Sequence, residues 1–435
     1  MRRMAVIGLS VLLASCGGPS VTPSIGLPNP SASVTVSAAV STPAPPSPSA
    51  VPTSTTAPPS PSAVPAGWTS LRWSAPVLTA PYETISDIAA WNGGYVAVGQ
   101  FQNTKGGTRA AAWFSTDWRS WTRTLLDVPR TGDSTLWHVL TIGSGLVAIG
   151  SSGVQRCVPP AGEGQVCDPQ PIGIWTSTDG LAWRQAPTPA ALTGVAIDGV
   201  ASDAGGLVLA GHAGWNEPGL WTSRDGSAWN RESLPRAVFT KAHFFGLAVT
   251  AGGWVLTGDT GGTEPICCDA SMGNTKPAAW FSPDGLNWTA AHVEGAATTV
   301  GLIDHPFVGR DGLVAVGGRD PSRGWISADG RTWTPVTAST GGKDLRVTPW
   351  ASDGTRIVGH QQFGLDDHED LWISTDGASW SALGATGAID RMPAWSGNTG
   401  AWADAAFLFP AGVALIGQNG TDRVPTWFAL AGAER

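Results

Sequence analysis

The chain has 435 residues, with 25 Lys and Arg against 33 Asp and Glu, for a formal charge of −8. That balance repels polyphosphate and excludes nucleic acid as a partner. No phosphate-cradling or dinucleotide-binding glycine motif leads from a strand into a helix, so nucleotide chemistry is excluded as well.

Residues 1–16 read as an export signal. Arg2 and Arg3 precede an apolar run from Met4 to Leu13 that is too short to span a bilayer. The run ends in Leu13-Ala14-Ser15-Cys16, which resembles the lipobox of bacterial lipoproteins. The resemblance implies cleavage before Cys16 and acylation of Cys16, an anchor worth about 0.8 kcal/mol per buried methylene. Removing Arg2 and Arg3 takes the formal charge from −8 to −10. Residues 17–66 are almost wholly Pro, Ser, Thr, Ala, Val and Gly. This composition cannot bury a core and favours extended polyproline II, about 3.1 Å per residue, so it reads as a disordered stalk.

From residue 67 to 431 two phrases alternate. One is a glycine followed by a short apolar strand: Gly94-Tyr95-Val96-Ala97-Val98-Gly99 is an example, with counterparts from Gly145, Gly206, Gly253, Gly312 and Gly412 and a weaker copy from Thr355. The other is W-x-S-x-D-G-x-x-W, complete from Trp175, Trp221, Trp280, Trp325 and Trp372, and altered from Trp113, where Trp118 replaces the glycine. In Ser282-Pro283-Asp284-Gly285 the proline excludes turns that need positive φ at its position, which leaves a type I turn with glycine in the left-handed region. That turn predicts a short hairpin with Trp280 directly opposite Trp288, shut by the Asp284 carboxylate on nearby backbone donors. Trp118 predicts a different closure in the first copy.

Four short strands recur seven times with no helical pattern, which predicts an all-β, seven-bladed β-propeller. The last repeat stops after Trp427-Phe428-Ala429, and Leu71-Arg72-Trp73-Ser74 matches the closing strand of a hairpin. The last blade is therefore expected to be composite, closed by N- and C-terminal strands, with Trp73 beside Trp427. The hairpin resembles the Asp-box, or bacterial neuraminidase repeat, of sialidase-like propellers, although here Asp179 and Gly180 are adjacent and the box is one residue shorter. The resemblance covers the ring's framework. It implies that the box lies on the third-to-fourth-strand turn, facing away from the functional side.

The opposite face then holds the candidates. His212, Trp215 and Glu217 share a loop of the third repeat, and Trp395 and Trp402 precede the last; aromatics outside the framework suit a stacking platform for a sugar or an anchor for a protein. With Cys16 lipidated, Cys157, Cys167, Cys267 and Cys268 remain in an oxidising compartment. Cys157–Cys167 is the favoured pair, leaving Cys267 and Cys268 as an adjacent bridge or two thiols. No spacing supports a metal site or cofactor, and Asp366-Asp367-His368-Glu369-Asp370 reads as a solvated acidic loop rather than a calcium loop. The remaining histidines carry no motif.

The reading favours a monomeric, membrane-anchored, extracytoplasmic lipoprotein whose ring is a non-enzymatic scaffold for a glycan or cell-surface protein. The alternative is a sialidase-like exo-glycosidase, which by the family's chemistry needs an arginine triad, a Tyr–Glu nucleophile and an acid/base Asp. Only Tyr82 and Tyr95 exist; Tyr95 sits in an apolar strand, Tyr82 adjoins Glu83, and Arg319 and Arg323 share one suitable loop without completing a triad.

Overall fold

The structure is a computed structural model that describes residues 71–73, 77–78, 83–102, 107–118, 120–126, 133–153, 157–158, 166–167, 169–214, 217–261, 275–317, 324–340, 343–344, 347–362, 369–383, 385–387, 401–409, 412–419 and 427–432. The signal, the stalk, Tyr82, Trp215, Cys267, Cys268, Arg319, Arg323, residues 366–368 and Trp395 lie outside the described residues.

The architecture is a β-propeller. Blade 1 runs Glu83–Trp91, Gly94–Gln102, Thr108–Ser115 and Thr122–Leu125, each strand antiparallel to the next. Blade 2 begins at Ser134–Ile142, blade 3 at Val195–Asp203, blade 4 at Ala242–Thr250, blade 5 at Ile303–Gly309 and blade 6 at Thr348–Ser352, and each repeats this order. First strands of successive blades pack against one another, so they ring the axis.

The expectation of seven blades is corrected to six. The strands expected to make a composite seventh form a six-stranded sheet of mixed direction, which contains Ala401–Phe409, Gly412–Asn419, Trp427–Gly432, Leu71–Trp73, Ala385–Gly387 and Val77–Leu78. Among the described residues no strand after Trp427–Gly432 joins this sheet. Leu71–Trp73 takes the place beyond that strand, antiparallel to Trp427–Gly432 and parallel to Ala385–Gly387. Trp73 falls opposite Ala431 rather than beside Trp427, whose partners are Leu78 and Gly417. A similar parallel strap, His292–Val293, lies along the outer strand of blade 5 and covers an otherwise open edge.

The box turns are tighter and more self-contained than a plain hairpin. Gly285 has φ +76°, as expected for the left-handed position. Asp284 Oδ1 accepts the amides of Leu286 at 2.9 Å and Asn287 at 2.7 Å, and Trp288 Nε1 donates to the Gly285 carbonyl at 3.0 Å. These bonds hold the tryptophan beneath the turn, so the fourth strand starts beyond it. Trp280 therefore pairs with Ala290, not with Trp288. The expected tryptophan-on-tryptophan register is wrong in every blade: Trp175 faces Gln185 and Trp221 faces Arg231. Both tryptophans of a box still meet in one core cluster, as Trp280 and Trp288 do with Val208 of the preceding blade.

The first copy does not close differently. Trp118 adopts φ +62°, its amide donates to Ser115 Oγ at 2.9 Å, and the Ser120 amide donates to Asp117 Oδ1 at 2.8 Å. The carboxylate and hydroxyl bonds suffice to impose the turn, and the tryptophan accepts a backbone conformation that costs about 1–2 kcal/mol.

Candidate functional site

Every first strand carries one extra residue, a β-bulge, near its beginning. The shifts fall between Ile85 and Asp87, Leu136 and His138, Ile197 and Gly199, Phe244 and Gly246, Ile303 and Pro306, and Pro349 and Ala351, with another between Ala403 and Ala405. The sequence device that permits this is the second glycine of the apolar phrase, which faces the residue before the bulge. A methyl built on Gly150 would lie 1.8 Å from the Thr135 carbonyl oxygen, and one on Gly258 1.9 Å from that of His243. Only glycine lets the bulged backbone cross there.

In each four-strand blade the first-to-second and third-to-fourth turns share one end. The bulges sit near the other end, among the second-to-third-strand connections and the links between blades. The box turns, on the third-to-fourth-strand connection as expected, therefore lie on the face opposite the bulges.

Around the axis at the bulge level stand three Asp–His pairs from three successive blades. His212 Nδ1 lies 3.2 Å from Asp198 Oδ2, His243 Nδ1 2.8 Å from Asp259 Oδ1, and His305 Nδ1 2.6 Å from Asp304 Oδ1. A fourth pair is looser, with His138 Nδ1 4.0 Å from Asp87 Oδ2. Each tight pair orients its imidazole through Nδ1 and leaves Nε2 as the atom that can meet a ligand.

Burial raises the Asp87 carboxyl to about 7, against the amides of Val139 at 2.9 Å and Ile88 at 2.8 Å that it accepts. Burial also lowers His138 to about 4, with a further push from His305 across the ring. Yet the His138 side chain is 41% exposed. Burial raises Asp198 despite its bond to His212, and that same bond raises His212. At Asp304 burial is outweighed by the bond and charge of His305, and the carboxyl lies below its usual range. Among the described residues no group of three or more His, Cys, Asp or Glu is placed to hold a metal ion.

The residues singled out in the sequence fare unevenly. His212 stands in this ring, a place its loop neighbours did not reveal. Glu217 does not join it: Glu217 Oε1 accepts Arg231 Nη2 at 2.8 Å, and the Arg231 guanidinium lies 5.6 Å from the Trp221 ring. Trp402 lies in Ala401–Phe409 opposite Gln418. Cys157 and Cys167 face each other across a two-stranded ribbon, in backbone register with the pairing expected of them. Sequence reading missed Asp87, His138, Asp198, His243, Asp259, Asp304 and His305. The signal was available in part: the residue after the second glycine is polar in most repeats, as Gln100, Ser151, His212, Asp259 and His360 show.

Among the described residues, several tyrosine, glutamate and arginine side chains have structural partners. Tyr95 packs into the core, 4.5 Å from Trp118 and 4.7 Å from Phe409. Glu83 is ion-paired with Arg123, which also lies 4.9 Å from the Phe101 ring. Arg310 is paired with Asp311 and Arg356 with Asp353.

No family model matches the sequence, and no curated protein matches it. Among solved structures, Trypanosoma rangeli sialidase in complex with sialic acid is similar at 14% identity and a TM-score of 0.39, over 82% of this chain and 54% of that one. The β-propeller domain of the Trilobed protease from Pyrococcus furiosus is similar at 10% identity and a TM-score of 0.45, over 82% of this chain and 93% of that one. This chain thus spans about half the length of the sialidase. The likeness is one of propeller architecture, and no residue role passes across it.

Proposed function

We propose that the chain is a lipid-anchored, extracytoplasmic, monomeric binding module. Acylated Cys16 and the stalk of residues 17–66 would hold the propeller off a bacterial membrane, and the bulge-bearing face would receive a glycan or a cell-surface partner. The observation that supports this reading is the ring of paired Asp and His side chains at the axis, on the face away from the box turns. Oriented hydrogen-bonding groups at the mouth of a rigid ring suit selective binding. His212 is one of the ring's members; Trp215, Trp395 and Trp402 are proposed to extend the surface outward as aromatic anchors, and Glu217 to stand at its edge.

The test pairs binding with turnover. The purified protein should bind an immobilised glycan or partner without hydrolysing a fluorogenic sialoside, and Trp215→Ala or Trp402→Ala should weaken binding while the fold is kept. Sustained sialoside hydrolysis, lost in Tyr82→Phe, would replace this reading with the glycosidase one.

A further inference from the structure

The first strand after residues 17–66 fixes the side on which the ring is tethered. Leu71–Trp73 is held from both sides, antiparallel to Trp427–Gly432 and parallel to Ala385–Gly387. Its direction follows from the register. Phe409 pairs with Gly412 where the first strand of the six-stranded sheet gives way to the second, and Gly412 pairs in turn with Gly432. In the blades the first-to-second-strand turns share one end with the box turns, so Gly432 lies at the box end of its sheet. Arg72 pairs with the same Gly432 and Trp73 with Ala431. The chain therefore enters at the box end with Leu71 and runs toward the bulge end. Val77 opposite Phe428 and Leu78 opposite Trp427 continue that course along the same strand. Blade 1 then starts with Glu83 at the bulge end.

A tether that enters at the box end draws that face toward its anchor. A Pro-rich stalk is a semi-stiff spacer and not a free hinge. The nine residues of Glu83–Trp91 make the ring about 30 Å tall, so its two faces stand at different distances from the anchor. Leu71 and Gly432, the two ends of the described chain, both lie at the box end and leave the bulge face clear. We propose, resting on the reading of Cys16 and the stalk as a membrane anchor, that the box-turn face is the membrane-proximal one. The bulge face is then presented away from the anchoring membrane, to a partner that is not embedded in it.

The experiment measures energy transfer to an acceptor dye on the lipid headgroups of phosphatidylethanolamine–phosphatidylglycerol vesicles. Acylated protein with residues 20–66 deleted, which keeps Cys16 and the whole ring, is inserted into the outer leaflet of preformed vesicles. Leu286 and Leu181, exposed on the box turns of blades 4 and 2, are replaced in turn by p-azidophenylalanine to carry the donor dye. Val300 and Ala190 are exposed in the connections that leave the same two blades and are replaced likewise. These two lie at the bulge end: the Gly301 amide donates to the Thr275 carbonyl at 3.1 Å and the Thr188 hydroxyl to the Ile172 carbonyl at 3.1 Å, where third strands start. Transfer should be at least about threefold more efficient from Leu286 than from Val300, and from Leu181 than from Ala190, because the faces differ by about the height of a strand. Thermal melts would verify that every variant folds. Equal or reversed transfer in either pair would overturn the proposal while leaving the anchored binding module intact. Loss of the acylated protein from the vesicles on washing would remove the anchor reading itself.

Discussion

Trp118 and Ala414 form a compensated pair across the seam between blade 1 and the six-stranded sheet. In five boxes the turn glycine presses on a valine of the preceding blade: a methyl on Gly226 would lie 2.6 Å from Val147, one on Gly330 2.5 Å from Val255, and one on Gly377 2.3 Å from Val314. At the seam both residues change. The glycine becomes Trp118, the position equivalent to the valine becomes Ala414, and both lie in one buried cluster. The Trp118 ring also lies 4.8 Å from Phe409, whose carbonyl accepts Arg356 Nη2 of blade 6 at 3.0 Å. Phe409 is thereby held by elements on both sides of it.

This pairing predicts non-additive stabilities. Trp118→Gly should destabilise by about 3–5 kcal/mol through the cavity it leaves, offset by about 1 kcal/mol from relief of the left-handed backbone. Ala414→Val alone should overpack and cost about 1–3 kcal/mol. The double variant restores the combination used elsewhere in the ring and should recover part of the loss. Urea unfolding of the four proteins measures the coupling, and simple addition of the two losses would refute it.

The box carboxylates predict acid sensitivity. Asp284 is held well below its usual range, first by the Asn287 amide, then by the Asn287 side chain. Asp179 is held down first by the Ala182 amide and then by that of Leu181. A carboxyl depressed in the folded state contributes stability above its unfolded value, near 3.8, and loses it as pH falls toward the folded value. Asp284→Asn should therefore cost about 1 kcal/mol at neutral pH, and the deficit should shrink below pH 4. A deficit of equal size at pH 7 and pH 3 would rule out this assignment.

Asp87 predicts the opposite slope. Its carboxyl is raised to about 7 by burial, so ionisation at high pH opposes folding. Its stabilising contribution is complete below the unfolded value of 3.8 and is lost as pH rises through about 7. Asp87→Asn should stabilise the protein at pH 8 by roughly 2–4 kcal/mol relative to its effect at pH 4. His138 works in the other direction: lowered to about 4, it contributes stability above 6.5 that is lost as pH falls. Chemical denaturation of Asp87→Asn and wild type across pH 4–8 tests the first claim; parallel pH profiles would contradict it.

The ribbon that sets Cys157 opposite Cys167 predicts a disulfide. Protein exported and purified without reductant should leave both thiols unlabelled by an alkylating agent, and Cys157→Ser should expose Cys167 to labelling. Labelling of both in the wild-type protein would exclude the bond.

Cys16→Ser should move the exported protein from the membrane fraction to the soluble one. Retention in the membrane through several washes would exclude acylation of Cys16 as the anchor.

The sequence by itself determined the local units. Serine and aspartate in fixed order impose the box turn, because each binds backbone amides a few residues away, and even Trp118 in the glycine position cannot undo it. Alternating glycine and apolar phrases likewise specify the strands. What only the tertiary structure decided is how those strands meet. Trp280 faces Ala290 because the hydrogen bonds of the turn hold Trp288 beneath it. Residues at the chain ends make a mixed six-stranded sheet because pairing across hundreds of residues is settled by which edges are open. A bulge exists only relative to the strand opposite, so the placing of one in every first strand had to be read from the pairing. Asp198 meets His212 and His243 meets Asp259 because the first and second strands of one blade pair side by side, whereas Asp304 and His305 are neighbours in the chain.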